Sequence, residues 1–245
     1  MKISLIIPCY NEEEALVISI PKILYSLSGL PYKTEILIID DGSTDNTSDI
    51  AEKLLSLQNI PYRIERLNKN QGKGAAIARG VNIANGEYII FFDADLATSL
   101  DVLNEVIPLI EKNTPLIIGS RNLKNSEIKV PQSILRKRLG ILYKIFVTRL
   151  LNLGVTDVTC GFKCFRKDVA RNIFGLTTVN RWGFDAEVLY IANVLKIPIN
   201  EVPVRWSNGK RTKVKIARDV IQSFFDVLKI FFNGITGAYK KIPRI

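Results

Sequence analysis

The stretch Tyr88-Ile89-Ile90-Phe91-Phe92-Asp93-Ala94-Asp95 constrains this chain most, because a continuous apolar run ends in two carboxylates one residue apart. A run this short, entered from Asn85-Gly86 and rich in aromatic and branched side chains, predicts a buried strand. The acid pair then falls where the strand leaves the sheet, the edge at which open α/β sheets bind ligands. Two carboxylates so close repel unless a cation, a proton or a set of donors relieves them. A hard divalent ion carrying a diphosphate would do so, since Mg²⁺ is usually held by one or two carboxylates plus phosphate oxygens. The competing reading is a solvated turn at a strand end.

Upstream of this run the same alternation repeats. Ile3 to Pro8 is a short apolar run stopped by a proline, and Asn11-Glu12-Glu13-Glu14 offers a cap and an acidic first turn for a helix through about Leu27 that holds Pro21. Glu35 to Asp40 is a second strand, ending in Asp40-Asp41-Gly42-Ser43-Thr44-Asp45-Asn46-Thr47, whose short polar side chains can cap a helix through Leu57. Tyr62 to Leu67 is a third strand, Asn68 to Gly74 a polar loop and Ala75 to Ala84 a helix. Leu100 to Lys112 is the next helix, and Leu116 to Gly119 a short strand leading into Ser120-Arg121-Asn122. The expected fold class is therefore α/β, a mostly parallel sheet with flanking helices and right-handed crossovers.

Beyond Arg121 the pattern changes. Asn122 to Val130 is polar and predicts a mobile loop, and Pro131 opens a helical stretch through about Leu153. On a helical wheel Ile134, Leu135, Leu139, Leu142, Ile145, Phe146 and Leu150 share one broad face, with Arg138 and Arg149 inside the arc and Lys137 and Lys144 beside it. Cys160 to Arg166 and Ile199 to Trp206 read as strands and Trp182 to Leu195 as a helix. Val214 to Phe232 is an amphipathic helix with Phe224, Phe225, Leu228, Phe231 and Phe232 on its apolar face. The organisation expected is one domain over 1–210, with 131–153 an interfacial helix, followed by a C-terminal amphipathic segment over 211–245.

Composition narrows the chemistry. The formal charge is +10, which favours an anionic partner such as a nucleotide sugar, an anionic lipid headgroup or nucleic acid. No recognised nucleic-acid-binding motif accompanies it. There is no histidine, so imidazole cannot serve as a base, and the 3 cysteines lack the spacing of a structural zinc site. No apolar stretch is long enough to span a bilayer, and the first eight residues are too short an apolar run for a signal peptide. Any membrane contact is expected to be peripheral.

Four motifs in order carry a resemblance. Pro8-Cys9-Tyr10-Asn11-Glu12, Asp40-Asp41-Gly42-Ser43-Thr44-Asp45, Asn70-Gln71-Gly72-Lys73-Gly74 and Asp93-Ala94-Asp95 resemble the family-two inverting glycosyltransferases with the GT-A, Rossmann-like nucleotide-sugar fold. Gly119-Ser120-Arg121, Asp157-Val158-Thr159-Cys160-Gly161-Phe162-Lys163 and Arg181-Trp182-Gly183-Phe184-Asp185-Ala186-Glu187 look like the polyprenyl-phosphate branch of that family, with dolichyl-phosphate β-glucosyltransferases the nearest likeness. The resemblance runs to about Trp206.

It implies a role for each matching position. Pro8, Tyr10, Glu12, Asp40 and Asp41 would hold base and ribose of the donor, although Asp41 to Asp45 also read as a capping turn. Lys73, between two glycines at a helix start, would meet the diphosphate with its charge and nearby backbone N–H groups. Asp93 and Asp95, with Ala94 between them, would hold Mg²⁺ or Mn²⁺ as a Lewis acid on the leaving diphosphate. The acceptor of this branch is a polyprenyl phosphate, already anionic, which can attack the anomeric carbon without a general base. Arg121 is the first choice for that phosphate, being able to bind it bidentately, with Arg136 and Arg138 next. Asp157 would take sugar hydroxyls, and Asp185 and Glu187 would orient sugar or acceptor. Burial of these acids in ion pairs with Arg181 or Lys163 is the rival reading, the stronger one for Glu187. Trp182 and Trp206 read as core or interface aromatics.

The implied reaction is transfer of glucose from UDP-glucose to a dolichyl-type phosphate with inversion, at the cytoplasmic face of a membrane reached through the two amphipathic helices. Burial of those helices in a homo-oligomer is the alternative. A GDP-mannose-dependent mannosyltransferase, a soluble glycosyltransferase with a glycan acceptor, and a non-catalytic nucleotide-sugar binding module are the other functional readings.

Overall fold

The structure is a computed structural model that describes residues 2–130, 134–207 and 216–240, with the backbone alone described at 130, 134–139 and 216–220. The main sheet has seven strands in the order β3-β2-β1-β4-β7-β5-β8: β1 (Lys2–Cys9), β2 (Lys33–Asp40), β3 (Tyr62–Arg66), β4 (Tyr88–Phe91), β5 (Leu116–Ser120), β7 (Lys163–Arg166) and β8 (Ile199–Pro203). Every pairing is parallel except those of β7, which runs antiparallel between β4 and β5. The expected mostly parallel α/β sheet is thus present. Because β7 is reversed, its start lies beside the ends of its neighbours: Lys163 is in register with Phe91 and with Ile118. That reversal brings the segment before β7 to the same edge as Asp93 and Arg121.

Alternation along β4 and its extension divides the core. Phe91 belongs to the cluster on one face of the sheet and Phe92 to the cluster on the other, both fully buried. Burying one such ring contributes about 2–3 kcal/mol, so a one-residue slip of this strand is strongly disfavoured. One face is covered by α1 (Glu13–Ser28), α2 (Thr47–Leu55) and α4 (Val102–Glu111), the other by α3 (Lys73–Ile83), α5 (Ile134–Leu151), α6 (Lys167–Phe174), α7 (Phe184–Val194) and α8 (Ile216–Ile235). Pro21 and Pro108 are accommodated inside α1 and α4.

Several local readings differ from the sequence expectation. Glu127–Val130 is not part of a mobile loop; it forms strand β6 and pairs parallel with β9 (Arg205–Ser207). The two together flank the ligand edge. Glu127-Ile128-Lys129-Val130 does alternate polar with apolar, but four residues in a polar stretch are a weak signal, and the pair is largely exposed, so the ladder is set by backbone bonds and not by a buried face. The run Ile199 to Trp206 is split at Val204 into β8 and β9. Helix α6, with Val169, Ala170, Ile173 and Phe174 buried, was not expected, because it follows β7 without a turn signal.

The long helix α5 presents two faces. Val147 and Leu151 are buried in the core, with Tyr143, Phe146 and Leu150 packed against it, whereas Ile141, Leu142 and Ile145 are exposed. The expected single apolar arc therefore divides between core and surface; the side chains of Ile134, Leu135 and Leu139 lie outside the described residues. Helix α8 buries Val227 and Ile230 in the same core and packs Phe224 on Tyr143 and Phe146 of α5, at 5.7 and 4.9 Å between ring centroids. Its opposite side exposes Ile221, Phe225, Leu228, Phe232 and Ile235 as one stripe. Among the described residues no helix is long and apolar enough to cross a membrane.

Candidate active site

The edge defined by the ends of β1, β2, β4 and β5 and the start of β7 gathers most of the candidate residues. Pro8 lies in β1 opposite Ile39, Tyr10 is exposed beyond the strand, and Glu12 is the residue before α1. Asn11, expected as part of a helix cap, lies before the cap position Glu12; it stands in the left-handed region at φ 54° and stitches two loops: its Oδ1 accepts the Thr44 N–H at 2.7 Å and its own N–H donates to Ser43 Oγ at 2.8 Å.

Asp40 and Asp41 are buried and serve the loop backbone. Asp40 Oδ1 accepts the Ser43 N–H at 2.8 Å. Asp41 accepts the Gln71 and Gly72 N–H groups, each at 2.7 Å, one on each oxygen. Burial raises the Asp41 carboxyl above its ordinary range, and the two amide bonds only partly offset this. Asp41 thus ties the second strand end to the loop that delivers Lys73, a contact between residues thirty apart that no local pattern encodes.

Lys73 opens α3 and forms an ion pair with Asp93. Burial acts to lower its pKa, but Asp93, Asp185 and Asp95 together outweigh that, so it lies above its ordinary value. Its ammonium also sits 5.7 Å from the Phe184 ring centroid. Asp95 faces solvent by surface area, yet enough protein surrounds it that desolvation, followed by the charge of Asp93, raises its carboxyl; the Ala97 N–H at 3.0 Å partly compensates. Ala94 between them is buried, and the turn is closed by the Leu96 N–H, which donates to the Asp93 carbonyl at 3.0 Å. Asp93 and Asp95 are two hard oxygen donors one residue apart, the second made more basic first by burial and then by its neighbour, and such a pair fits Mg²⁺ or Mn²⁺ that completes its shell with phosphate oxygens and water. Among the described residues no third histidine, cysteine or acid joins them as a ligand cluster.

Gly161 is a site residue to which the sequence reading assigned no role. A Cβ there would stand 2.6 Å from Asp93 Cγ and closer still to Oδ2. Only the absence of a side chain lets the reversed start of β7 pack against the first carboxylate of the pair.

Arg121 lies at the end of β5, and Asp157 grips it. Its backbone N–H, Nε and Nη2 donate to the Asp157 carboxylate at 3.0, 2.7 and 2.8 Å, and Nη2 also reaches Thr159 Oγ1 at 2.8 Å. The guanidinium is 5.5 Å from the Trp206 ring centroid. Burial opposes the charge on both partners, but their pairing prevails: Arg121 is raised and Asp157 is held below the usual carboxylate range. Both Asp157 oxygens are therefore committed to Arg121. Among the described residues Arg121 Nη1 makes no such contact, and the side chain keeps 20% of its surface exposed. Glu201 on β8 holds this arrangement from below, accepting the Thr156 N–H at 2.9 Å, the Thr156 hydroxyl at 2.8 Å and the Asp157 N–H at 3.3 Å. Glu201 was missed because a lone acid in a strand carries no signal.

Asp185 and Glu187 separate in role. Asp185 forms a buried ion pair with Lys163, whose ammonium also donates to the Cys160 carbonyl at 3.0 Å. Glu187, fully buried, pairs with neither Lys163 nor Arg181; it accepts the Thr178 and Val179 N–H groups at 2.9 and 2.8 Å, the Thr178 hydroxyl at 2.8 Å and the Tyr239 hydroxyl at 2.7 Å. Trp182 is partly exposed near the start of α7, and Trp206 packs on the core and on Arg121. Arg136 and Arg138 belong to α5, and their side chains lie outside the described residues.

The edge is therefore two-sided. Asp93, Asp95 and Lys73 form one pole and the Arg121–Asp157 pair the other, joined by β7.

Known proteins resemble this chain in sequence and in fold. Dolichyl-phosphate beta-glucosyltransferase of Dictyostelium discoideum is 36% identical, with 97% of this chain and 76% of that protein covered. The Homo sapiens protein of the same name is 34% identical over 98% of this chain and 78% of its own length. Glucosyl-3-phosphoglycerate synthase of Mycobacterium tuberculosis, solved with Mn²⁺, uridine diphosphate and glucosyl-3-phosphoglycerate, shares the fold at TM-score 0.69 and 17% identity, covering 94% of this chain and 80% of that one. Mannosyl-3-phosphoglycerate synthase of Rubrobacter xylanophilus does so at TM-score 0.73 and 14% identity, covering 100% and 78%. The model of glycosyl transferase family 2 matches residues 4–174, and on this match, together with the relatives, the chain belongs to glycosyl transferase family 2.

Proposed function

We propose that this glycosyltransferase moves glucose from UDP-glucose to a dolichyl-type polyprenyl phosphate with inversion at the anomeric carbon. The observation that carries this reading is the two-sided edge: an acidic pair beside a lysine at one pole, and an arginine held by an aspartate at the other. Relatives at 34–36% identity named for this activity cover nearly the whole chain.

Asp93 and Asp95 would hold a divalent cation, which when bound would supply Lewis-acid neutralisation of the leaving diphosphate. Lys73 adds a second positive charge there, kept protonated by the three acids around it. Tyr10 offers a flat surface for the base beside Pro8, and the loops stitched by Asn11, Asp40 and Asp41 shape the nucleotide end, with Glu12 at their rim. At the other pole Arg121 receives the acceptor phosphate through the guanidinium edge that Asp157 leaves free. Asp157 acts through Arg121: it fixes the guanidinium plane and cancels part of its charge, so the phosphate oxygen retains nucleophilicity. That oxygen is already anionic, and no side chain need remove a proton. Asp185, held by Lys163 between the poles, is the acid best situated for a sugar hydroxyl. The protein's main task is holding two anions in line.

The same reading assigns the apolar stripe of α8, with Ile141, Leu142 and Ile145 of α5, to the surface of a membrane at its cytoplasmic leaflet. Exposed apolar rows beside a net charge of +10 suit an anionic bilayer.

The test is a donor panel with polyprenyl phosphate as acceptor, with and without Mn²⁺. Transfer from UDP-glucose that requires metal and lipid phosphate is expected. Faster transfer to a free glycan, or from GDP-mannose, would overturn the assignment.

A further inference from the structure

The turn Ala238–Lys240 lies outside the 4–174 stretch matched by the family model, yet it is built into the support of the Thr178–Asn180 loop, which packs on the start of α3. Tyr239, in the short 3₁₀ turn Ala238–Lys240, is 1% exposed, and its hydroxyl donates to Glu187 Oε1 at 2.7 Å while accepting from Asn233 Nδ2 at 3.2 Å. Lys229 and Asn233 of α8 reach the Thr178 carbonyl and hydroxyl at 3.0 and 3.2 Å. Glu187 in turn takes the Thr178 and Val179 N–H groups. The loop so held closes on the start of α3. The Asn180 carbonyl accepts the Ala75 N–H at 3.2 Å, and a Cβ on Gly74 would lie 2.8 Å from the Val179 carbonyl and 2.6 Å from Phe184 Cβ. Lys73 is the residue between Gly74 and Gly72, where a Cβ would likewise run into the Asn180 carbonyl, and its ammonium lies over the same Phe184.

We infer that Tyr239 is a positioning residue for the donor diphosphate, acting through Glu187 and the Thr178–Asn180 loop to fix the backbone that carries Lys73. The physical reason is that Glu187 is a buried anion whose geometry is set by its donors, and Tyr239 is the donor that arrives from outside the loop. With that bond removed, the carboxylate still satisfies the loop amides but is free to turn. The glycine contacts leave no slack at Ala75, so motion at Thr178 is passed to the first turn of α3. The inference rests on Lys73 serving the donor diphosphate; the contacts themselves do not depend on that.

Tyr239→Phe tests it in two measurements on the full chain. Amide hydrogen exchange is expected to rise by about tenfold at Thr178, Val179 and Ala75 in Tyr239→Phe, the loss of one hydrogen bond to a charged group, with strands β1 and β2 unaffected. Calorimetric titration with UDP and Mn²⁺ is expected to show binding weaker by about three- to tenfold, while KM for polyprenyl phosphate stays within about twofold. Unchanged exchange at Ala75, or a uniform rise across the sheet, would overturn the inference. Wild-type protein that does not bind UDP would overturn the donor reading instead, and the exchange pattern would still decide whether Tyr239 positions the loop.

Discussion

Gly161→Ala isolates the contact on which the acidic pair depends. The added methyl would begin 2.6 Å from Asp93 Cγ, whereas ordinary contact is 3.4 Å or more, so the carboxylate must retreat by about an ångström. Gly161 is not among the glycines with positive φ, so alanine meets no backbone penalty and the perturbation is purely steric. Asp93 keeps 35% of its side chain exposed and can swing outward, which places the stability cost at the low end of overpacking, about 1 kcal/mol, or roughly 2–4 °C in Tm. The functional cost is larger. A displacement of about 1 Å at a reacting centre can lower the rate by about a hundredfold, which is roughly 2.7 kcal/mol in kcat/KM. Metal-dependent glucosyl transfer and thermal unfolding, measured on the same preparation, separate the two effects. In a double-mutant cycle the alanine should add almost nothing to Asp93→Ala, because its target is gone. Activity of Gly161→Ala within about twofold of wild type would refute the reasoning, since Asp93 would then not need its observed position.

Other perturbations have equally definite outcomes. Asp95→Ala should lower transfer by about a hundredfold or more without lowering Tm, because it removes a charge that Asp93 repels; undiminished turnover would remove it from the metal pair. Asp157→Asn leaves a largely buried guanidinium without its counter-charge and should destabilise by about 3–5 kcal/mol, with acceptor KM rising more than donor KM; a denaturant titration and steady-state kinetics read both. Glu35 sets an acid limit: burial would raise its carboxyl, but bonds from Lys2, Ser4 and Asn85 outweigh that and bring it to about 2. Because the folded value is depressed, its stabilisation is complete above the ordinary value of 4.5 and is lost as pH falls towards about 2, so Glu35→Gln should flatten Tm against pH in that window. Phe225→Asp with Phe232→Asp places charge in the exposed stripe of α8 and should abolish co-sedimentation with anionic vesicles while leaving UDP binding intact; retained vesicle binding would reassign the stripe.

The sequence by itself determined the α/β class, the identity of β1 to β5 and the edge where Asp93 and Asp95 emerge. Those follow from local pattern: apolar runs bounded by turn residues, and acids at their ends, are properties of eight or ten adjacent residues. It also carried the order of motifs by which the chain resembles its family. Tertiary structure decided what is non-local. The reversed β7 brings Gly161 to Asp93 and Asp157 to Arg121, and reversal of a strand leaves no mark on its own composition. Glu187 was legible as an acid in a motif, but its donors come from Thr178, Val179 and Tyr239, up to fifty-two positions away. The division of α5 between core and surface depended on where α8 lies, since Phe224 covers Tyr143 and Phe146 and leaves Ile141, Leu142 and Ile145 outside. Periodicity measures which residues share a face; only packing against a particular neighbour decides which part of that face is buried.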